Sequence, residues 1–475
     1  MQIDDRGPQV KQFHSALTKY LDGRFSPSVA ILENMMLTVT EWPVYYNAGL
    51  GYLRLGRPDR AQPLLERSLQ LGLPARFREG CIDARLLLGD RDAALRHADV
   101  LESAPHRAMY RAVAGEAFAD WESLRAAKAR WFRDEKPRLR IAYFMTATNL
   151  CGGSKVIFEH AERLAGMGHD VAIISFDAAP DWHTVRLPFY QSNFALSGVR
   201  DLPRFDIAVS GFFWINMLIL LLGNRTYHFA QGDEWTFGYD TFDALTKDAV
   251  WQFHNLPNRQ IAVSTFLAQA IDNHFERPQH TLIPVSIEDF FEPGPVKNSG
   301  QVLMIGAEMN RFKNVPMMMQ ALDILRARGY PLKVVWISSA PRQNADFACD
   351  FHHSPERRLI AQLYRTSEVF VSASDFEASP LPILEAMKSG TAIVTSDSGG
   401  IRDYVVNGEN ALVVSPHTAE ALAGAIARLL DDGALRDALA RNGRETSRRF
   451  SWDFSMKKLQ DMLYEDLAVP FPAIP

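Results

Sequence analysis

The chain has 475 residues, of which 47% are hydrophobic and 23% are charged, and its 51 basic and 56 acidic side chains give a formal net charge of −5. These proportions exclude a disordered or collagen-like chain, and the lack of a basic excess argues against a nucleic-acid-binding protein. At roughly 100–200 residues per domain, the length predicts about three domains. Cys81, Cys151 and Cys349 lie far apart in the sequence, which argues against a disulfide framework and favours a reducing, cytoplasmic location.

The amino terminus and the longest apolar run bear on membrane targeting. Residues 1–6 are largely polar and acidic, so they do not follow the basic-then-apolar order of an export signal. The apolar run 212–222 is interrupted by Asn216 and is shorter than the about 20 residues that a membrane-spanning helix needs. It predicts a buried helix, and a peripheral contact with the inner face of the plasma membrane is left open.

Residues 1–136 show helical periodicity and no convincing strand pattern. The motif Gly-Arg-Pro-Asp-Arg-Ala at 56–61 returns as Gly-Asp-Arg-Asp-Ala-Ala at 89–94, close to the roughly 34-residue period of tetratricopeptide repeats. Trp42, Tyr46 and Gly49 stand at the aromatic and small positions of such a hairpin. The segment resembles two degenerate tetratricopeptide units, which would offer a surface for a protein partner or for self-association. The alternative is a helical cap that packs on the next domain.

The stretch 124–140 combines basic residues with Trp131 and Phe132. Such a pattern is compatible with contact to an anionic membrane surface or a lipid phosphate. The alternative interpretation is a solvated linker helix. The basic residues are Arg125, Lys128, Arg130, Arg133, Lys136, Arg138 and Arg140.

From 137 onward, short apolar runs alternate with helical periods, which predicts an α/β fold. A run at 139–145, a Gly-bearing loop, a helix ended by Gly168 and a second run at 171–176 indicate a βαβ unit. Residues 137–292 are therefore predicted to form a Rossmann-like domain with a parallel sheet. Its further strands are predicted at 206–210, 226–230, 260–264 and 281–284.

The same alternation restarts after the Pro- and Gly-rich segment 290–295. It predicts a second Rossmann-like domain at 293–450. Two such domains enclose a cleft, and ligands of open parallel sheets bind at the carboxyl ends of the strands. The strands of this domain are predicted at 302–306, 332–338, 368–372, 392–396 and 411–414.

The segment that follows the predicted strand 368–372 carries the most chemical information. A loop presents Glu377, and a helix is expected to begin near Leu381, with Ser379 as a possible cap and Pro382 in the first turn. The N-terminal end of a helix suits a diphosphate because its N–H groups and dipole attract anions. Glu385, one turn into the helix, is placed to accept hydrogen bonds from ribose hydroxyls, and Glu377 is placed to reach a sugar.

This segment and its neighbours resemble the GT-B glycosyltransferases of family 4. The E-x7-E motif of that family matches Glu377 and Glu385, its EAM-x-x-G block matches 385–390, and its Gly-Gly turn matches 393–400. Further matches lie at 407–413 and 450–453, so the resemblance covers about 138–468. It implies retaining, metal-independent transfer of a sugar from a nucleotide-diphosphate donor, with 451–475 forming a final helix that crosses back to the first Rossmann-like domain.

The resemblance also assigns donor-binding roles. Without a metal, cations and a helix N-terminus must stabilise the leaving diphosphate. The family supplies an Arg and a Lys from the loop that here begins at Gly306. Lys313 matches the Lys with one extra residue, but Ala307 occupies the usual Arg position, so Arg311 is the candidate substitute. Pro380 and Leu381, at the helix start, complete the expected phosphate site.

In the first Rossmann-like domain, Gly152 and Gly153 lie where the family's Gly-rich loop lets the backbone approach the donor. Many relatives place a His after a central strand, but here that strand ends at Gln231. The segment resembles a subset of the family that acts on bacterial surface polysaccharides, so Gln231 and Glu234 are predicted on the acceptor side and Asp233 near the reaction centre. A structural role is favoured for His228.

These residues predict a hexosyl- or deoxyhexosyltransferase acting on a glycan or lipid-linked acceptor in bacterial surface polysaccharide biosynthesis. No cofactor is expected, and the sequence carries no P-loop, HExxH or G-x-S-x-G motif. The alternative is an inactive GT-B scaffold that binds partners through its helical region. The missing Arg at Ala307 and the missing His near Gln231 support that alternative.

Overall fold

The computed structural model describes residues 7–194, 202–232, 242–256, 258–275, 280–294 and 297–472. It has an α/β architecture of two parallel sheets preceded by a helical region, which confirms the predicted fold class. The helices of the first region are α1 Gly7–Leu21, α2 Phe25–Met35, α3 Trp42–Arg54, α4 Pro58–Gln70, α5 Glu79–Leu87, α6 Arg91–Ala98, α7 Ala104–Val113 and α8 Trp121–Glu135.

Helices α3 and α4 show why the sequence forms close hairpins here. A proline stands in the first turn of each helix, where its missing N–H is tolerated. A Cβ on Gly49 would lie 2.6 Å from Cγ of Leu65, so glycine at this position lets the two helices approach. The assignment of these hairpins to the tetratricopeptide family stays a prediction.

The first sheet has the strand order β3-β2-β1-β4-β5-β6-β7, and every pairing is parallel. Buried apolar side chains fill the inner strands, as expected for a sheet covered on both faces. The strands are β1 Arg140–Met145, β2 Asp170–Ser175, β3 Phe189–Gln191, β4 Phe205–Ser210, β5 Gly223–Ala230, β6 Arg259–Ala262 and β7 His280–Leu282. The helices are α9 Gly152–Gly166, α10 Asn216–Leu222, α11 Ala244–His254 and α12 Thr265–Phe275.

The second sheet repeats this topology with the order β10-β9-β8-β11-β12-β13. Its strands are β8 Gln301–Ile305, β9 Lys333–Ser338, β10 Asp350–His353, β11 Val369–Ser372, β12 Ala392–Ser396 and β13 Leu412–Val414. The helices are α13 Val315–Ala327, α14 Arg357–Thr366, α15 Leu381–Lys388, α16 Ala419–Asp431, α17 Gly433–Ser447 and α18 Trp452–Leu467.

Helices α5–α8 share one hydrophobic cluster with the first sheet, whereas the buried residues of α1–α4 lie in other clusters. Phe132 of α8, Ile141 of β1 and Tyr464 of α18 belong to the same buried cluster, and α18 packs against both α8 and α9. Arg225 of β5 and Glu79 of α5 form a buried ion pair at 2.7 Å across this boundary. The second half of the helical region therefore packs directly on the first Rossmann-like domain.

The basic stretch 124–140 is engaged within the chain. Arg125 contacts Glu122 and Glu465, Lys128 is buried against Asp83, and Arg130, Arg133, Arg138 and Arg140 each pair with an acidic residue. Lys128 is fully buried, whereas Arg130, Arg133, Arg138 and Arg140 keep 45–69% of their side chains exposed. The solvated-helix interpretation therefore fails for Lys128, and contact with an anionic membrane surface stays a prediction.

The apolar run 212–222 forms a short 3-10 turn followed by α10. The predicted helix is confirmed, but only one face is buried. Ile215 and Ile219 are buried, whereas Trp214, Met217 and Leu221 are 59%, 52% and 42% exposed. Within the described residues, none of the helices is long and apolar enough to cross a membrane.

Candidate functional site

Both sheets reverse their strand order at one point, and the predicted site residues gather there. The reversal lies between β1 and β4 in the first sheet and between β8 and β11 in the second. Loops that leave neighbouring strands in opposite directions open a crevice at the carboxyl edge of a parallel sheet. The loops after β1 and β4 therefore form one wall of the site, and those after β8 and β11 form the other.

The wall from the first sheet contains a cavity of about 460 Å³. It is lined by the loop after β1, by Cys151 and Gly153 at the start of α9, and by Gln231 at the end of β5. A Cβ on Gly153 would lie 3.6 Å from the Gln231 amide. The structure thus brings together two residues that the sequence placed on the donor and acceptor sides. Asp233 and Glu234 lie outside the described residues.

His228 lies on β5, three residues before Gln231. Its side chain is 3% exposed, and its ring packs against His254 with the centroids 5.1 Å apart. It also lines the cavity. The predicted packing role therefore agrees with its burial, although one edge faces the site.

The wall from the second sheet contains the start of α15. The helix begins at Leu381 and has Pro382 in its first turn, as predicted. The prediction that Ser379 caps it is wrong, because Pro380 occupies the N-cap position and its side chain has no hydrogen-bonding group. Cδ1 of Leu381 lies 3.7 Å from the place that a Cβ on Gly152 would take. The Gly-rich loop and the helix start therefore face each other across the cleft.

Lys313 and Glu377 meet on this second wall. Lys313 Nζ lies 2.5 Å from Oε1 of Glu377, and the Ser374 hydroxyl donates to the same oxygen at 2.9 Å. The Lys313 and Glu377 side chains are 19% and 13% exposed. The ion pair with Glu377 therefore fixes the Lys313 ammonium group at the cleft, and Lys313 is not a freely solvated charge. Arg311, two residues earlier in the same 3-10 turn, is exposed, while Ala307 is buried.

The loop that carries Glu377 is held against the turn after β12. The Glu377 N–H donates to the Ser398 carbonyl at 2.8 Å, and the Gly400 N–H donates to the Glu377 carbonyl at 2.9 Å. A Cβ on Gly400 would lie 2.1 Å from the carbonyl oxygen of Ala378. Glycine at 400 is therefore required for this close backbone approach.

Glu385 is 4% exposed and has partners that the sequence did not reveal. Arg357 Nη2 lies 2.9 Å from its Oε1, and the Tyr364 hydroxyl donates to its Oε2 at 3.2 Å. Both partners come from α14. Its predicted contact with ribose stays a prediction, and the structure adds that α14 orients this carboxylate.

Arg357 also belongs to a charge network that joins the two walls. It pairs with Glu288 at 2.9 Å, and Glu288 contacts Lys155 of α9, which lies 4.0 Å from Glu385. Burial alone would raise the pKa of Glu288, but Lys155 and Arg357 more than offset it and hold the pKa below its usual range. Burial lowers the pKa of Lys155 despite the two carboxylates.

A second contact closes the cleft on its other side. The Thr265 N–H, at the start of α12, donates to Oδ2 of Asp403 at 2.8 Å. The Phe266 ring occupies the space that a Cβ on Gly399 would take. The two Rossmann-like domains are therefore in direct contact at two places around the site.

Comparison with known proteins identifies the second domain. Residues 286–446 match the family model described as glycosyl transferases group 1. A D-inositol 3-phosphate glycosyltransferase of Xylanimonas cellulosilytica is 35% identical over 111 residues, which cover 23% of this chain and 27% of that protein. CapM, a capsular polysaccharide biosynthesis glycosyltransferase of Staphylococcus aureus, is 27% identical over 160 residues, 32% of this chain and 42% of CapM. The match thus spans about a quarter of the inositol-phosphate enzyme and under half of CapM.

Solved structures extend the likeness to both sheets. A sucrose-phosphate synthase from Thermosynechococcus elongatus superposes with a TM-score of 0.57 at 18% identity, covering 68% of this chain and 98% of that one. HepE of Anabaena, solved in complex with UDP-glucose, has a TM-score of 0.57 at 15% identity over 69% of this chain and 99% of its own. The chain has the GT-B fold of these neighbours.

Across the described ranges, no three His, Cys, Asp or Glu side chains stand close enough to share a metal ion.

Proposed function

We propose that the chain is a retaining, metal-independent glycosyltransferase of the family 4 type. It would transfer a hexosyl or deoxyhexosyl group from a nucleotide-diphosphate donor to a glycan or lipid-linked acceptor of bacterial surface polysaccharide assembly. The observation that carries the proposal is the juxtaposition of Gly152 with Leu381, beside the Lys313–Glu377 pair. The match to the glycosyl transferases group 1 model over 286–446 supports the same class.

The donor roles follow from this geometry. The diphosphate would lie at the start of α15, where the helix dipole is positive, and Lys313 would leave Glu377 to balance its charge. Glu377 would then be released toward the sugar. Glu385, oriented by Arg357 and Tyr364, would accept from the ribose hydroxyls. The glycine at 152 leaves room for the transferring sugar between the walls.

The acceptor would enter from the cavity at the first wall. Gln231 and the residues that line this cavity with it would bind its hydroxyl groups. For transfer with retention, the leaving diphosphate would itself accept the acceptor proton on the face from which it departs. This route places no requirement for a nucleophile on the protein, and Glu377 then acts by orienting the sugar.

The proposal is tested by thermal-shift titration of the full chain with UDP, GDP, dTDP and ADP, each with and without EDTA. A nucleotide at 100 times its Kd should add about 2.7 kcal/mol of stability. The shift should be lost in Glu385→Gln and kept in Glu420→Ala, a control at an exposed position of the same domain. A shift that EDTA abolishes would contradict metal independence, and no shift with any nucleotide would favour the inactive scaffold.

The nucleotide that binds then selects the sugar donors for a transfer assay. Retention requires that an α-linked donor give an α-linked product, which proton NMR of the anomeric signal reads directly. A β-linked product would overturn the retaining assignment while leaving the transferase assignment intact.

A further inference from the structure

The short helix α10 presents an apolar face to solvent. Trp214, in the 3-10 turn before the helix, and Met217 and Leu221 within it are 59%, 52% and 42% exposed, and each follows the last by about one helical turn. The opposite side of the helix, with Ile215 and Ile219, is buried against the first sheet. Large apolar side chains that share one exposed face mark an interaction surface. We call Trp214, Met217 and Leu221 the α10 face.

The α10 face begins beside the cavity of the first wall, where the acceptor is proposed to enter. Phe212 lines this cavity, and its ring contacts the Trp214 ring with the centroids 6.0 Å apart. From there α10 leads away from the carboxyl edge of the sheet, because β4 ends at Ser210 and β5 begins at Gly223 beside the start of β4. At 1.5 Å per residue, the face extends about 10 Å along the first domain. A surface that contacts the α10 face therefore lies next to the cavity.

Two arginines stand at the far end of α10. The Nη1 atoms of Arg76 and Arg204 donate to the Leu221 carbonyl at 3.1 and 3.3 Å. Arg76 belongs to the helical region, in the 3-10 turn Ala75–Phe77. The Arg204 side chain is 49% exposed and also contacts Glu102 at 3.3 Å. The two guanidinium groups outnumber this carboxylate, so the far end of the α10 face is cationic.

This combination fits the surface of a lipid bilayer better than a protein partner. Tryptophan is enriched at the boundary between headgroups and acyl chains, and helices that lie in this boundary carry Trp and Leu on one side and basic residues on the other. A stable protein interface uses about 20–30 residues from each partner, whereas the α10 face offers three. A helix of seven residues would bind a bilayer weakly, and anionic lipids would strengthen the binding because they attract the arginines.

We propose that the α10 face docks the protein on the surface of an anionic lipid bilayer. Trp214 and Met217 would enter the boundary between headgroups and acyl chains, and Arg76 and Arg204 would face lipid phosphates. A lipid-linked acceptor in the same bilayer would then reach the cavity beside Phe212. The inference rests on the proposed function for the nature of that acceptor, and it adds the side from which the acceptor arrives. It also gives the helical region a role, because that region supplies Arg76.

The test is co-sedimentation of the full chain with vesicles of phosphatidylcholine alone and of phosphatidylcholine mixed with phosphatidylglycerol. The wild type should bind the mixed vesicles, and the binding should weaken as salt is added because salt screens the arginines. The double variant Trp214→Gln with Met217→Gln should lower the bound fraction at least five-fold. The matched control is Leu37→Gln with Phe454→Gln, which removes apolar side chains that are 80% and 55% exposed elsewhere. The control should bind as the wild type does.

Two further measurements separate the cations from the apolar face. Arg204→Gln should reduce binding to the mixed vesicles and make it less sensitive to salt. Arg130→Gln, at a position 56% exposed in the basic stretch 124–140, should change neither. Brominated acyl chains quench the fluorescence of a tryptophan that contacts them. The quenching that vesicles of such lipids cause in the wild type should therefore be mostly lost in Trp214→Phe.

The proposal is overturned if the wild type does not bind the mixed vesicles, or if the control variant loses binding as the α10 variant does. It is also overturned if Arg130→Gln abolishes binding while the α10 variant keeps it. Sedimentation velocity tests a second copy as the occupant: a dimer that the α10 variant makes monomeric, without vesicle binding, would overturn the proposal. The nucleotide thermal shift should persist in the α10 variant. Loss of vesicle binding with a normal shift therefore leaves the proposed transferase intact, and a missing shift in the wild type leaves the docking surface intact.

Discussion

The buried ion pair between Asp83 and Lys128 gives a prediction whose size follows from the structure. Lys128 Nζ lies 2.9 and 2.8 Å from the two carboxylate oxygens of Asp83 and 3.2 Å from the Tyr110 hydroxyl. Both charged side chains are 0% exposed. Burial raises the pKa of Asp83 to about 6 even with Lys128 beside it. The carboxylate therefore depends on the ammonium group for its charge at neutral pH.

Replacing Lys128 with Met leaves this carboxylate buried with a tyrosine hydroxyl as its donor. Removing one partner of a buried pair costs about 3–5 kcal/mol, whereas an exposed pair contributes about 0–1 kcal/mol. We expect the free energy of unfolding to fall by about 3–5 kcal/mol in Lys128→Met at pH 7. Arg130→Met is the matched control, because Arg130 lies on the same helix and pairs with Glu116 at 3.1 Å with side-chain exposures of 56% and 47%.

Urea titration followed by far-UV circular dichroism measures both variants. Lys128→Met should unfold at a clearly lower urea concentration than Arg130→Met, and adding Asp83→Asn should recover part of the loss. The loss should also shrink at pH 5, because a protonated Asp83 carboxyl is easier to keep buried than a carboxylate. Equal unfolding midpoints for Lys128→Met and Arg130→Met would refute the idea that this pair is tightly coupled.

Two further predictions concern the second domain. Burial lowers the pKa of Lys297 to about 8 from its usual 10.5. Between these two pH values the unfolded chain binds a proton that the folded chain does not, so the free energy of unfolding rises with pH. Lys297→Met should therefore raise the melting temperature at pH 7, with the gain fading above pH ~10; a fall at pH 7 would contradict this. A Cβ on Gly400 would lie 2.4 Å from the Glu377 carbonyl oxygen, so Gly400→Ala should displace the Glu377 loop and abolish the nucleotide thermal shift. Gly424→Ala, in open space on α16, is the control and should stabilise by about 0.5–1 kcal/mol; a normal nucleotide shift in Gly400→Ala would show that the loop position is dispensable.

The inner strands could be predicted because a parallel strand buried on both faces reads as a continuous apolar run. The run 392–396 coincides with β12 Ala392–Ser396, and the predicted 139–145 differs from β1 Arg140–Met145 by one residue. Two of the four edge strands, β3 Phe189–Gln191 and β10 Asp350–His353, were not predicted, because their short sequences carry no apolar run. The other two edge strands, β7 and β13, lie within apolar runs and were predicted.

The candidate site also contains residues that the sequence predicted and residues that it did not. Glu377, Lys313 and the glycines at 152 and 153 could be predicted because each lies in a local motif. The partners of Glu385 could not, because Arg357 and Tyr364 come from α14, which precedes the motif and carries no signature of its own. In the basic stretch 124–140 the burial of Lys128 could not be predicted for a related reason, because its partner Asp83 is brought to it by the tertiary fold.

The network around Arg357 links the proposed chemistry to domain closure. Each carboxylate oxygen has two acceptor sites. Glu385 can therefore keep its hydrogen bonds from Arg357 and Tyr364 and still accept hydrogen bonds from ribose hydroxyls. Arg357 also contacts Glu288, which in turn holds Lys155 of the first domain. Arg357 therefore helps to orient Glu385, the carboxylate proposed to bind ribose, and also takes part in one of the two contacts between the domains. A donor that binds to Glu385 would thereby favour the closed cleft, in which the Gly-rich loop meets the start of α15.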